Sequence, residues 1–158
     1  MPNAVNEAPA IFRIPTAFVA ALITTAGAAT VVQVVHSATV LRALGAPVNA
    51  AQMLGMLGHD LLEFGPNFMG IAAVGFLIAF LVTAGLRRVV SLAMRPIHAL
   101  AGGVAIFTAL ASIQALTGIA PIPASLHLGW LAALVATGAA GGWVYGWLAQ
   151  SSDEAETA

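Results

Sequence analysis

Long apolar stretches separated by short polar connections dominate the hydropathy pattern of this chain. Those without Asp, Glu, Lys or Arg cover residues 15–41, 68–86, 97–116 and 128–149. About 20 apolar residues in an α-helix, at a rise of about 1.5 Å per residue, span a hydrocarbon layer of about 30 Å. Because a backbone in lipid must satisfy its own hydrogen bonds, each stretch is predicted to be a transmembrane α-helix. The predicted fold is therefore an all-α integral membrane protein, a four-transmembrane-helix bundle.

A different pattern lies between the first and second spans, in residues 49–64. At helical spacing, one side of this segment is polar: Asn49, Gln52, His59, Asp60 and Glu63. The opposite side is apolar: Leu54, Leu57, Leu61 and Phe64. This alternation predicts an amphipathic interfacial helix between the first two spans. It lacks the Lys and Arg of a helix that binds anionic lipid, so we expect it to cap the bundle.

Composition narrows the class further. With 60% hydrophobic and 7% charged residues, the chain is too apolar for a soluble domain. We expect one membrane domain over residues 1–158, with disordered polar tails at 1–12 and 151–158. The chain has no Cys, which excludes disulfides and thiolate chemistry, and its net charge of −1 offers no basic patch for nucleic acid.

The cations predict an orientation. All of them are arginines, and they are Arg13, Arg42, Arg87, Arg88 and Arg95. Only Arg42 lies in the connection between the first and second spans. The other four lie before the first span or between the second and third spans, which is the opposite side of the predicted bundle. The positive-inside rule therefore places both termini in the cytoplasm. The absence of Lys and the Ala-rich, Gly-rich composition suggest a bacterial protein, and hence the inner (cytoplasmic) membrane.

Small residues indicate where helices pack closely. In the fourth span, Gly138, Gly142 and Gly146 recur at intervals of four and form one stripe along the helix. Such a stripe lets another backbone approach. The third span has its own small-residue face, formed by Ala101, Ala105, Thr108, Ala109 and Ser112. We expect these faces to pack the four helices together, and a homo-oligomer or a larger membrane complex is the alternative.

Polar side chains concentrate in the half of the bundle that the arginines place outside. Gln33, His36, Asn67 and His127 are the candidates for ligand binding there. His36 lies about one and a half turns inside the end of the first span, with Gln33 one turn away. Polar groups at that depth in lipid usually point inward and are often functional.

Three functions fit this pattern. The first is binding of an apolar small molecule, a lipid or quinone, or a partner subunit at the outer half of the bundle. The second is a haem- or metal-dependent membrane enzyme, an isomerase or oxidoreductase, which uses His59 or His36. In that case His36 and His127 could meet and ligate haem b, or His36, His59, Glu63 and His127 could hold a divalent metal. The third is a transporter or channel protomer.

One short segment supports the second function by resemblance. His59, followed by Asn67 and Met69-Gly70, resembles the styrene oxide isomerase family of four-helix, haem-binding membrane enzymes. The resemblance covers only residues 59–70, and the segment between His59 and Asn67 is longer than in the family pattern. It implies that His59 is a haem ligand and that Asn67 orients a substrate oxygen.

Overall fold

The computed structural model describes residues 10–86 and 94–150. In order, its helices are α1 (Ala10–Ala43), α2 (Ala50–Leu86), α3 (Met94–Thr117), a 3-10 helix (Pro123–Leu126) and α4 (Leu128–Gln150). The four α-helices are long and apolar enough to cross a membrane. This confirms the predicted all-α, four-helix bundle of a multi-pass membrane protein. Residues 1–9 and 151–158, where most of the predicted disordered tails fall, and Arg87 and Arg88 lie outside the described residues.

The four helices follow one another in order around the bundle. α1 packs against α2 and α4, and α3 packs against the same two helices. The α3–α4 interface is the most extensive of these four, and the α2–α3 interface is the least. We call the end that carries the α1–α2 connection and the 3-10 helix the upper end. The opposite, lower end carries Arg13, whose guanidinium donates a hydrogen bond to the Leu148 carbonyl oxygen over 3.3 Å.

The predicted interfacial helix does not form a separate element. Residues 50–64 are helical, but they continue directly into α2, which contains Pro66 in its interior. Proline removes one N–H donor from the helix. The carbonyl that loses its donor is that of Leu62, four residues earlier. One residue after the proline, the side-chain amide of Asn67 donates a 2.8 Å hydrogen bond to the Glu63 carbonyl oxygen. α1 likewise continues through Pro15 and begins at Ala10, within the predicted N-terminal tail.

Local hydrogen bonds close the α1–α2 connection at both ends. Gly45 has a left-handed φ of +82° and ends α1. Two 3.0 Å backbone bonds, to carbonyl oxygens of Leu41 and Arg42, complete a Schellman motif there. At the start of α2, the Gln52 N–H donates to Asn49 Oδ1 over 2.9 Å, and the Asn49 N–H donates to Gln52 Oε1 over 2.8 Å. This reciprocal capping box begins α2.

The first two helices are longer than the bundle requires. α1 and α2 contain 34 and 37 residues, whereas α3 and α4 contain 24 and 23. The difference amounts to roughly 15 to 20 Å of helix. Part of this extra length lies at the upper end. His36 of α1 is level with His127 just before α4, and α1 continues beyond His36 to Ala43. The α1–α2 hairpin therefore projects about 10 Å beyond the start of α4.

Glycines allow α4 to lie against both of its neighbours. A Cβ on Gly138 would come within 2.5 Å of the Gly102 carbonyl oxygen of α3, and a Cβ on Gly142 would overlap the His98 carbonyl. Gly146 faces Arg95 in the same interface. On the other side of α4, a Cβ on Gly141 would overlap the hydroxyl of Thr25 in α1. Within the described residues, the stripe of Gly138, Gly142 and Gly146 thus packs α4 onto α3.

Candidate functional site

His36 is a buried imidazole near the upper end of the bundle. Its side chain is 7% exposed and faces α4. The Trp130 ring packs against it edge-on, with centroids 5.3 Å apart. The His127 ring lies 6.2 Å away at an interplanar angle of 42°. Neither ring nitrogen of His36 has a hydrogen-bond partner among residues 10–86 and 94–150.

The segment before α4 positions His127. Buried Ile122 and Ala124 anchor the 3-10 helix in the core, and the Ser125 hydroxyl donates a 2.7 Å bond to the Ile122 carbonyl oxygen. His127 follows in an extended conformation, and its own carbonyl oxygen accepts a 2.9 Å bond from the Leu131 N–H. His127 is therefore the N-cap residue of α4. Its side chain is exposed, in contrast to that of His36.

A second buried polar group lies one turn from His36. Gln33 Oε1 is enclosed and has no hydrogen-bond partner among the described residues. Residues three apart in a helix lie on the same side, so Gln33 and His36 share the inward side of α1. The hydroxyl of Thr25, deeper in the same helix, is likewise buried without a partner. Unsatisfied buried polar groups are uncommon in native proteins and often mark a bound water, ion or ligand.

Asn67 lies in a different part of the molecule. It is at the upper end of a groove of about 1010 Å³ between α2 and α3, which opens to the outside of the bundle. The other polar side chains among its described lining residues are Thr83, Thr108 and Ser112, and none of these residues is charged. From Asn67 to Thr83 the groove follows α2 for about 24 Å.

The small-residue face of the third span forms one wall of this groove. Ala101, Ala105, Thr108, Ala109 and Ser112 all line it. α2 and α3 approach closely at one point, where a Cβ on Gly75 would lie 3.3 Å from the Ala105 carbonyl oxygen. Away from that contact, short side chains leave the space between the helices open. This face therefore makes one close helix contact and a cavity, whereas the sequence predicted helix packing alone.

His59 and Glu63 form a separate, exposed pair. His59 Nε2 lies 3.3 Å from Glu63 Oε2, and the two side chains are 66% and 71% exposed. In the described part of the chain, no group of three His, Asp or Glu side chains is placed to hold a metal ion. The four predicted metal or haem ligands thus form two pairs, His59 with Glu63 and His36 with His127.

Sequence reasoning missed an aromatic cluster at the lower end. His98 is only 4% exposed, and its ring lies 5.7 Å from Phe80 and 5.1 Å from Tyr145. Phe80 and Tyr145 stack with centroids 4.1 Å apart. The one available signal was the glycine stripe, because Gly142 and Gly146 make room for the turn that carries His98. In the sequence, the position of His98 just after Arg95 and Pro96 is that of an ordinary interfacial histidine.

No protein-family model, no curated protein and no solved structure matches this chain. The resemblance of residues 59–70 to the styrene oxide isomerase family therefore stays a prediction. The two candidate binding sites are the α2–α3 groove, with Asn67 at its upper end, and the His36–His127 pair between α1 and α4.

Proposed function

We propose that this protein binds a neutral amphiphile with a long apolar chain, of the isoprenoid quinone type, in the α2–α3 groove. The observation that carries the proposal is the groove itself, with a volume of about 1010 Å³ and an almost wholly apolar lining. Small-molecule sites are typically lined by apolar side chains with a few polar groups that fix orientation. Asn67 and Ser112, both at the upper end, are suited to that second role.

The length of the groove favours a long chain. An acyl chain anchored in one leaflet occupies about half of the 30 Å hydrocarbon layer, roughly 15 Å. The groove follows α2 for about 24 Å, from Asn67 to Thr83. A ligand that fills it must therefore extend past the midplane of the bilayer. Isoprenoid tails reach this length, whereas ordinary phospholipid chains do not.

The polar end of the groove favours an uncharged head group. No described lining residue carries a positive charge that could pair with a phosphate. The amide of Asn67 is held by its 2.8 Å bond to the Glu63 carbonyl oxygen, and this leaves Oδ1 available to accept a hydrogen bond. A quinol hydroxyl is a suitable donor for that oxygen.

The proposal includes an orientation. We place the protein in a bacterial inner membrane with both termini in the cytoplasm, as the arginine distribution predicts. The upper end then lies at the periplasmic surface, and Asn67 and Ser112 meet the head group in the outer leaflet. Gln33, His36 and His127 lie across the bundle from this groove and take no part in it.

The matched variants Gly70→Leu and Gly85→Leu test the proposal. Both glycines lie in α2, and a Cβ on either meets no atom within 4 Å. Gly70 lines the groove, and Gly85 does not. Leucine at position 70 should fill the groove near Asn67 without disturbing the fold, whereas leucine at position 85 should project into lipid. Each protein would be purified in mild detergent, and its bound quinones and phospholipids would be extracted and quantified by mass spectrometry.

We expect wild type and Gly85→Leu to retain isoprenoid quinone above its proportion in the membrane. Gly70→Leu should lose about tenfold in quinone affinity, which corresponds to about 1.4 kcal/mol. Asn67→Leu should reduce quinone binding and leave phospholipid content unchanged. Equal quinone content in Gly70→Leu and Gly85→Leu would contradict the groove as the site. Enrichment of phospholipid alone would contradict the neutral head group.

A haem b enzyme that uses His59, a divalent metal at His59 and Glu63, a transporter or channel protomer, and a homo-oligomer or larger membrane complex remain predictions. The exposed His59–Glu63 pair has the separation of an ordinary i,i+4 contact on a helix surface, so it does not favour any of these functions.

A further inference from the structure

We propose that His36 and His127 form a two-imidazole binding site for a monovalent copper ion, at the upper end of the α1–α4 interface. The site is separate from the α2–α3 groove, and the proposal does not depend on quinone binding. One ligand lies in α1 and the other immediately before α4, and the first is buried while the second is exposed.

The separation of the two rings supports a shared ion. A metal–nitrogen bond of about 2.0 Å places the centroid of an imidazole about 3.2 Å from the metal. Two imidazoles on opposite sides of one ion therefore have centroids about 6 Å apart, and a tetrahedral angle would bring them to about 5 Å. The observed separation is 6.2 Å, with the rings tilted by 42°. This separation is close to the one expected for two imidazoles on opposite sides of one ion.

The unsatisfied polar groups support a ligand at this position. His36 is 7% exposed, and its ring nitrogens have no hydrogen-bond partner in the described part of the chain. Gln33 Oε1, one turn away, is also buried without a partner. Burying a polar atom such as Gln33 Oε1 without a partner costs free energy, so it calls for an explanation. An ion at this position would bind a nitrogen of His36, the more deeply buried of the two proposed ligands.

Charge favours a monovalent ion. The two ligands are neutral, and the described carboxylates, Asp60 and Glu63, do not join them in a three-ligand group. Removing an ion from water becomes much more costly as its charge increases. The positive end of the α4 macrodipole also lies beside His127 and opposes a cation there. Imidazole is a good ligand for copper, and Cu(I) accepts two ligands in a linear geometry.

Trp130 favours a single ion over a macrocycle. Its ring packs edge-on against His36 at 5.3 Å and covers one side of that imidazole. α1 and α4 also pack tightly further down, where Gly141 faces the Thr25 hydroxyl. A porphyrin between the two rings would have to separate these helices. An ion can reach the site through the exposed His127.

The test is metal binding by protein purified without a polyhistidine tag. Reduced, detergent-solubilised protein would be titrated with Cu(I) against a chromophoric chelator, and with Ag(I) as a redox-inert probe. The variants are His36→Ala and His127→Ala, with His59→Ala as the matched control because it removes an exposed histidine elsewhere. We expect one ion per wild-type chain. Loss of a direct ligand should weaken binding by at least about a hundredfold, and His59→Ala should bind as wild type does.

A further variant separates ligation from folding. His127→Met replaces an exposed imidazole with a thioether, a softer ligand that suits Cu(I), so it should retain Cu(I) and Ag(I). Size-exclusion profiles and tryptophan fluorescence would show that each variant is folded. The proposal is overturned if folded wild type binds neither ion, if His36→Ala or His127→Ala binds as tightly as His59→Ala, or if Zn(II) binds more tightly than Cu(I). The last two results would indicate adventitious binding and a divalent site, respectively.

Discussion

Substitution of Gly138 by alanine should test how closely α3 and α4 pack. Gly138 of α4 lies directly against the backbone of Gly102 in α3. A Cβ at position 138 would come within 2.5 Å of both the Gly102 carbonyl oxygen and the Cγ1 atom of Ile106. Ile106 is fully buried and has little room to move aside. The Gly102 carbonyl belongs to the backbone and cannot rotate away, so the two helices must separate.

Two opposing terms determine the size of the effect. Alanine is about 1 kcal/mol more favourable than glycine inside a helix. Against this, overpacking a close-packed contact costs about 1–3 kcal/mol. An ordinary contact requires α3 and α4 to separate by about 1 Å, and a gap of that size forfeits a quarter to a half of the dispersion energy of each contact. The two terms leave a net cost of about 0–2 kcal/mol. Since α3–α4 is the most extensive helix interface, we expect the upper half of this range, a destabilisation of about 1–2 kcal/mol.

The free energy of unfolding can be measured by titrating SDS into protein in mild detergent and following tryptophan fluorescence. Gly129→Ala is the matched control, because it makes the same change in the same helix and its Cβ would meet no atom within 4 Å. We expect Gly129→Ala to be as stable as wild type or slightly more stable. If Gly138→Ala were also at least as stable as wild type, the close contact between Gly102 and Gly138 would be refuted.

Two further predictions concern the α1–α2 connection and the orientation. Gly45→Ala should cost about 1–2 kcal/mol, because Gly45 has a left-handed φ of +82°, and Gly45→Asn should cost less. The SDS titration measures both, and equal stability of all three proteins would argue against this helix cap. A reporter fused to the C-terminus should give a cytoplasmic signal, as the arginine distribution predicts. A periplasmic signal would place His36 and Asn67 near the cytoplasm.

Hydropathy was sufficient to predict the four spans, because a segment that crosses the hydrocarbon layer must have apolar side chains over its whole length. It could not predict that α2 continues upward through Pro66. The helix is continuous through this proline, and the Asn67 amide bonds the Glu63 carbonyl oxygen next to it. A polar segment that ends at a proline looks like a connection when only composition is considered.

The sequence predicted how deep the site residues lie in the bundle. It did not predict how each helix is rotated about its axis, and so which neighbour each residue faces. The ends of the first and fourth spans imply that His36 and His127 lie at a similar level, and their rings are 6.2 Å apart. Asn67 also lies in the upper half of the bundle, yet it faces the α2–α3 groove. These helices are apolar nearly all round, so their rotation is decided by close contacts such as Gly75 with Ala105. A hydropathy pattern contains no record of those contacts.

The closed connection between α1 and α2 has a consequence for membrane insertion. The Schellman motif at Gly45 and the capping box of Asn49 and Gln52 use only atoms of the hairpin itself. The chain therefore needs no later segment to satisfy these helix ends, and α1 and α2 can enter the bilayer together as a finished pair. Assembly then consists of docking the α3–α4 pair onto it, in the second stage that membrane helices follow after insertion.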